Sequence, residues 1–535
     1  MRYALGRVWL TATALCCGTA VGSVVPVRVA TTICALGVVA LCFRRRATAA
    51  VVGIVFLAAG VGMLNAGARL AARGPLTELA HLVPRCSVEG TVIEHIGGLG
   101  SLASLDHADC GVWEGTSLGV VAIDDPVLEP GASFAVQGWV VPLDNETFGD
   151  GRRRLGAQAE LHVISLRGTK SPHGLHATAA RFREGSRRSV AGIDPAIGAL
   201  LQGLTIGETS EVTPAVVDDF RASGLSHVLA VSGSNVAIVL GAVLASMRSL
   251  GHKARIVAGF AALGMFALVV GPDASVLRAG LMGSIALACL ARGRQAEPLA
   301  ALGLAIIGVI GLRPGMLFSA GMHLSVAATA GIVLLSGPIG ERLKMLPTAP
   351  RVMLAATWAA QIAVVPILAL TFGEIPLLAP IANALALPAV GFATIVGLAA
   401  APAAIVWPPA GRFLARAAAP AVAWIGFVAK SIGGVPGAVV HVPSVLGWMG
   451  LVALSVVVVL ALRSAPARYG DRVTFRWVLH DSEGTDLRSS EDFESQADAE
   501  AWMGERWQSL LDEGAETVTL LEDDAKVYKM GLREA

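Results

Sequence analysis

The sequence predicts a polytopic α-helical membrane protein of about twelve spans, carrying a small extracellular β domain and a small cytoplasmic α+β tail. Three observations carry that reading. Of the 535 residues 54% are hydrophobic and only 15% charged, with a mean hydropathy of +0.66; an ordinary soluble domain has about a quarter charged residues. Apolar runs long enough to cross a bilayer recur between arginine and lysine clusters. The charge is segregated too, because residues 464–535 hold seventeen acids against eight bases while the whole chain carries only +1. Together these exclude a soluble enzyme fold for most of the chain.

Taken in order, Arg2 and Arg7 precede an apolar run at 8–25, a second follows at 27–43, and Arg44, Arg45 and Arg46 separate it from a third at 49–64. Cationic flanks mark the cytoplasmic side, so the N-terminus is cytoplasmic, residues 1–68 form N-terminal transmembrane segments, and residues 69–170 lie outside. That outer stretch has β-like runs at 87–92, 133–140 and 159–166, bounded by Gly, Pro and Asp. It also holds Cys86 and Cys110; outside the cytoplasm a disulfide between them is allowed, although sequence alone does not bring them together. The other five cysteines lie in apolar runs, where a thiol is a small hydrophobe. Residues 171–225 read as a basic amphipathic or re-entrant connector, with Arg181, Arg183, Arg187 and Arg188 on a helix laid along the membrane surface. Residues 226–463 fit about nine crossings whose cationic separators alternate in side, with Arg313 the exception. The acidic tail at 464–535 is then cytoplasmic, with a strand at 473–479, a helix at 497–511 and a hairpin from 516–521 and 526–530.

Polar side chains inside membrane segments are costly and mark a pore, a cavity or one another. Four clusters stand out. Residues 220–235 hold His227, Ser232, Ser234 and Asn235, with His227 and Asn235 at helical spacing. Residues 273–278 place Arg278 one turn inside a span, where it must snorkel, pair with Asp273 or bind an anion. His323 and Ser325 form the third. Gln361, Glu374 and Asn383 form the fourth, and the prolines around Asn383 predict a broken or kinked helix beside a cavity. For the Ser and Gly positions, interhelical hydrogen bonding around small residues is the alternative to a wet path.

These clusters, in this order, resemble the ComEC family of competence proteins. Leu204-Thr205-Ile206-Gly207-Glu208 followed by residues 220–235 is similar to the family's S-G-L-S-H-V-L-A-V-S-G core. Residues 275–282 are similar to its S-x-x-R-A-x-x-M segment, and residues 322–328 to its x-x-L-S-x-x-A segment. Gln361 to Pro366, Phe372-Gly373 and residues 379–388 resemble its last block. The resemblance covers residues 1–462 and implies that the outer domain is OB-like. It implies a channel in the bacterial cytoplasmic membrane that translocates single-stranded DNA during natural transformation, with DNA-receptor and motor proteins of the competence machinery as partners. Fuller family members end in a metallo-β-lactamase-like domain; no H-x-H-x-D-H run occurs here, so the expectation is a form without that nuclease, served by a separate one.

No catalytic residue, metal ligand or cofactor is assigned: there is no G-x-x-x-x-G-K-[ST] loop and no G-x-S-x-G elbow. On this reading His227, Ser232, Ser234, Asn235, Arg278, His323, Gln361, Glu374 and Asn383 are candidates for the pathway. Arg152, Arg153, Arg154, Arg181, Arg183, Arg187 and Arg188 are candidates for phosphate contacts with DNA or membrane lipids. Phe134, Trp139 and Phe148 are the rings on which bases would stack, although such rings more often fill a core. Two other readings stay open: a transporter of another polyanion or solute in a non-competent host, and an intramembrane hydrolase using Ser232 or Ser325 with His227 or His323.

Overall fold

The computed structural model describes residues 75–443 apart from 96–99, 112–113, 124–127, 145–151, 154, 230 and 250; single residues 445, 447 and 449; and 475–532 apart from 482–484, 494–495 and 523–524. The expected spans at 8–25, 27–43 and 49–64, the final span before Arg463, and Arg154 and Phe148 lie outside the described residues. The chain divides into two compact units, residues 3–458 and residues 459–535 with 1–2.

In the larger unit a short helix, α1 (Pro75–Ala80), leads into five strands: β1 (Arg85–His95), β2 (Ser101–Asp109), β3 (Glu114–Ile123), β4 (Ser133–Val141) and β5 (Ala159–Lys170). They close into a barrel in the order β1-β2-β3-β5-β4, with β3 and β5 parallel and the other pairs antiparallel. Alternate residues of β1 and β4 point inward, as period-two strands require, so Val88, Val92, Phe134, Val136 and Val140 meet in one core. β1, β4 and β5 contain the three β-like runs; β2 has no β-branched residue, while in β3 Thr116 is separated from Val120, Val121 and Ile123 by Gly119. Cys86 and Cys110 are joined by a disulfide that ties the start of β1 to the end of β2. Phe134 is core and only 3% exposed, whereas Trp139 on the same strand stands 42% exposed.

Helices α2 (Gly174–Val190), α3 (Pro195–Ile206), α4 (Pro214–Ala222), α5 (Ser226–Leu229), α6 (Gly233–Ser246), α7 (His252–Val270), α8 (Ala274–Leu290) and α9 (Pro298–Leu312) follow the barrel. After a 3-10 turn at Pro314–Phe318 come α10 (Ala320–Arg342), α11 (Thr348–Thr371), β6 (Glu374–Pro376), α12 (Ala379–Val406), α13 (Pro408–Gly433) and β7 (Val439–His441), the last pairing with β6. Five of these helices, α7 and α10 to α13, are long and apolar enough to cross a membrane. The apolar helices α3, α6, α8 and α9 have 12 to 17 residues, which at about 1.5 Å per residue falls short of a hydrocarbon core about 30 Å thick. The extended stretch at 231–232 and the loops at 271–273 and 313–319 interrupt the apolar pattern there. α3 shows why so short a helix persists. Asp194 caps its first turn by accepting from the Ala196 and Ile197 amides at 2.9 and 3.1 Å, Pro195 opens it, and Gly207 closes it in a left-handed conformation. Residues 198–206 are all buried, in a core shared with α4, α5, α12 and α13.

Two expectations are corrected by this packing. α2 does not lie free on a membrane surface: it packs on α12, α13 and α7, with Ala179, Arg183, Ser186 and Ser189 buried. α12 is not broken at Asn383, because Pro380 sits in its first turn, where a missing amide hydrogen costs nothing, and the helix runs on through Pro388.

Ion pairs fasten the barrel to the helices of the same unit. Glu129, just before β4, receives Arg183 Nε and Arg187 Nη2 at 2.7 Å each, and Arg183 Nη1 also donates to the Leu268 and Val269 carbonyls at the end of α7, both at 3.0 Å. Glu94 of β1 receives Arg313 Nη2 at 2.6 Å. Arg313, the cation that broke the alternation of sides, is therefore the one balanced by a barrel carboxylate.

In the tail unit, β8 (Phe475–His480), β9 (Asp486–Ser489), β10 (Thr517–Glu522) and β11 (Ala525–Gly531) form a sheet in the order β11-β10-β8-β9. α14 (Gln496–Asp512) packs on it through Ala499, Met503 and Leu510, around a fully buried Trp477 whose indole donates to the Ala499 carbonyl at 2.8 Å.

Two outcomes follow from this architecture. Replacing Cys86 and Cys110 together by serine should destabilise the barrel by about 3 kcal/mol, as expected for opening a loop of this length, and expose β1 and β2 amides to faster hydrogen exchange in the full chain. The Glu129 carboxyl is pushed up by burial, but the Arg183 and Arg187 guanidinia outweigh this and hold it below its ordinary 4.5. A depressed carboxylate stabilises the folded state above its unfolded pKa and loses that stabilisation as pH falls through the folded value. Protection of α2, corrected for intrinsic exchange, should hold from pH 8 to about 5 and fall below about pH 4; Glu129→Gln should remove that dependence.

Candidate functional site

The break between α5 and α6 organises the polar residues. Gly224 adopts φ 75°, and a Cβ on it would stand 2.4 Å from Ala379 Cβ, so only glycine lets this turn close onto the start of α12. α5 lasts four residues, Ser232 is extended, and α6 begins at Gly233. His227 and Asn235 therefore do not share one helix face: His227 is exposed on α5, while Asn235 is 1% exposed on α6.

The broken ends are satisfied by side chains. Asn235 Nδ2 donates to the Leu204 carbonyl at 2.9 Å, and Ser275 Oγ of α8 donates to the Val231 carbonyl at 2.8 Å. Ser232 Oγ is bonded to the Ser234 hydroxyl and donates to Asn235 Oδ1 at 3.4 Å. Against this segment lies Arg278, only 6% exposed. Its Nε donates to Ser325 Oγ of α10 at 2.8 Å and its Nη1 contacts Met282 Sδ at 3.3 Å. Asp273, five residues back at the start of α8, does not pair with it, and no carboxylate lies within ion-pair distance of Arg278 among the described residues. The structure thus brings together Ser232, Ser234, Asn235 and Arg278, and adds Ser275, Met282, Ser325 and Gly233. Of the added residues, Ser325 belongs to the third polar cluster of the sequence, and Ser275 and Met282 share one helix face with Arg278 at i, i+3 and i+7.

The remaining candidates stand elsewhere. His323 faces the Leu317 carbonyl at 2.7 Å, closing the 3-10 turn. Gln361 Nε2 donates to the Pro376 carbonyl at 3.4 Å, Glu374 lies 3.6 Å from His441 across the β6–β7 pair, and Asn383 Nδ2 donates to Ala379 of its own helix at 2.8 Å. No hydrogen bond joins a histidine to Ser232 or Ser325 among the described residues. Most of the arginines proposed as phosphate contacts are also committed. Arg152 is buried against Glu160 at 2.8 Å, Arg153 donates to the Leu143 and Asp144 carbonyls, Arg183 and Arg187 grip Glu129, and Arg188 pairs with Glu184 at 2.7 Å. A guanidinium placed beside apolar sequence found protein acceptors first. Arg181 is exposed and makes no ion pair among the described residues. Among those residues no group of three or more His, Cys, Asp or Glu side chains could hold a metal ion.

Residues 204–466, which contain the whole α5–α6 and Arg278 cluster, match the family model described as "Competence protein". Over these residues the chain resembles the ComEC family. It is also similar to the ComE operon protein 3 of Bacillus subtilis (strain 168), with 28% identity over 211 residues. That match covers 39% of this chain and 26% of the relative, so about a quarter of the relative's length is shared. No solved structure matches the chain. The family match and the five long apolar helices make this a membrane protein of the competence type.

Asn235→Ala tests what holds the cluster. It strands the Leu204 carbonyl and should lower stability in detergent by about 1–3 kcal/mol, read as a fall in melting temperature.

Proposed function

We propose that this chain is a channel that carries single-stranded DNA across a bacterial cytoplasmic membrane during uptake. The observation that carries this reading is Arg278: a guanidinium buried among helices of a membrane protein, with no carboxylate opposite it among the described residues. A lone cation at that depth costs several kcal/mol unless an anion or water serves it, and a translocating strand offers one negative charge per phosphate. The composition agrees with passage of a polyanion. Residues 226–463 contain only four carboxylates, Asp273, Glu297, Glu341 and Glu374, against fourteen lysines and arginines.

In this reading the barrel is an OB-like receiving domain on the outer face. The two barrel carboxylates that pair with Arg183 and Arg313 support its placement on the side of the 268–273 turn, opposite Lys253 and Arg255 at the other end of α7. The described helices plus the apolar runs outside them are taken as about twelve spans with both termini cytoplasmic. The reading assigns no hydrolytic step to this chain. The energy source, the DNA receptor and any nuclease are then partners in the competence machinery, with membrane lipids around the helices. Transport of another polyanion is the second reading, favoured by the fact that a buried cation selects charge and not sequence.

Deleting the gene in competent cells should abolish uptake of labelled DNA. Wild type should restore it, and Arg278→Ala, expressed at the same level, should leave it at least about tenfold lower. Unchanged uptake in the deletion strain would transfer the case to the polyanion transporter.

A further inference from the structure

The start of α6 is built like a capped helix and is not capped. Ser232 has the residue type and the extended backbone of an N-cap, φ −101° and ψ 165°, yet its side chain makes no bond to the first-turn amides. Its hydroxyl is turned to Ser234 and Asn235. The Asn235 amide is taken by the Ser232 carbonyl at 3.1 Å, which leaves the amides of Gly233 and Ser234 without an acceptor among the described residues. These amides are the positive end of the helix dipole.

Against that positive end lies a cation. A Cβ on Gly233 would come within 2.5 Å of Arg278 Nη2, so with glycine at 233 the guanidinium lies directly against the helix start, and a side chain there would displace its tip. Two of its nitrogens are engaged by Ser325 and Met282, and Nη2 has no acceptor among the described residues. The guanidinium thus lies against the positive end of α6, and its Nη2 and the first-turn amides share the lack of an acceptor. One anion seated beside both offsets their repulsion and accepts from both.

We propose that Arg278 and the Gly233 and Ser234 amides grip one phosphodiester group, with the Ser232 and Ser234 hydroxyls rotating from their present acceptors to donate to it. A phosphodiester presents two unesterified oxygens, one for the guanidinium and one for the amides and hydroxyls. In this chain the phosphodiester is that of the transported strand, an assignment that rests on the channel reading. The grip is a stepping point: a single cation and a helix end hold one phosphate firmly enough to guide it, and the strand leaves by exchanging one phosphate for the next.

The test uses the full chain in nanodiscs of zwitterionic lipid and a fluorescent oligonucleotide of about 20 nucleotides. Affinity is measured from about 50 to 200 mM salt for wild type, Arg278→Gln and Gly233→Ala. Each lost phosphate contact should lower the slope of log affinity against log salt by about 0.7 for a single strand, and both variants should show that loss with affinity down about tenfold. Gly233→Ala keeps the arginine and fills the contact between it and the helix, so a loss there with an unchanged melting temperature identifies the grip and not a general loss of charge. Wild-type slopes in well-folded variants would overturn the site while leaving the channel reading standing, since that reading fails separately, by unchanged uptake on deletion. Retention of phosphatidylglycerol by wild type but not by Arg278→Gln, with no change in DNA slope, would overturn the strand as the occupant in favour of lipid.

Discussion

A guanidinium held inside a helical bundle with no carboxylate beside it sets conditions on everything around it. Burying the charge of Arg278 costs several kcal/mol, and the protein offsets part of this with a hydroxyl from α10 and a thioether from its own helix. Those contacts require α6, α8 and α10 to converge at one level. At position 233 a residue without a side chain lets the guanidinium tip meet the α6 backbone. A bland structural pair with Asp273 would have relaxed all of these demands, and it is absent among the described contacts.

Convergence at that point is compatible with helices too short to span. An interrupted backbone at membrane depth is tolerated only when its polar groups are served by protein or water. Here Ser275 serves Val231 in the break between α5 and α6, and Asn235 in the first turn of α6 serves Leu204 in the last turn of α3. The polar side chains of the membrane domain thus fall into two kinds. Asn235, Ser275 and Gln361 serve backbone carbonyls of other segments, the interhelical role common to small and amide side chains, while Asn383 bonds back within its own helix. Arg278 and the α6 amides are left with donors to spare.

The arginines of the barrel connection behave differently again. Arg183, Arg187 and Arg313 face barrel carboxylates, and Arg183 adds the carbonyl end of α7, where a cation also complements the helix dipole. These bonds orient the barrel on the helices of its own unit. Opposite charges in a partly buried setting find each other before either finds solvent or a ligand, so a basic stripe in the sequence became a strut.

Much of the fold was legible because burial in lipid and in a barrel leaves periodic marks: the apolar runs of α7 and α10 to α13, the alternation of β1, β4 and β5, and the helix and hairpin of the tail. β2 and β9 were not legible, since they carry no β-branched residue and pair by position in a sheet rather than by type, and in β3 the β-branched residues are interrupted by Gly119. At the site, the sequence by itself determined which side chains were anomalous in an apolar setting, and the face shared by Ser275, Arg278 and Met282, because spacing within one helix is a local property. Only the tertiary structure decided that Arg278 meets Gly233 and Ser325, that Arg183 and Arg187 are spoken for by Glu129, and that His227 and His323 stand apart. Those outcomes depend on where separate helices cross, and crossing is set by packing between segments far apart in the chain, which no local pattern records.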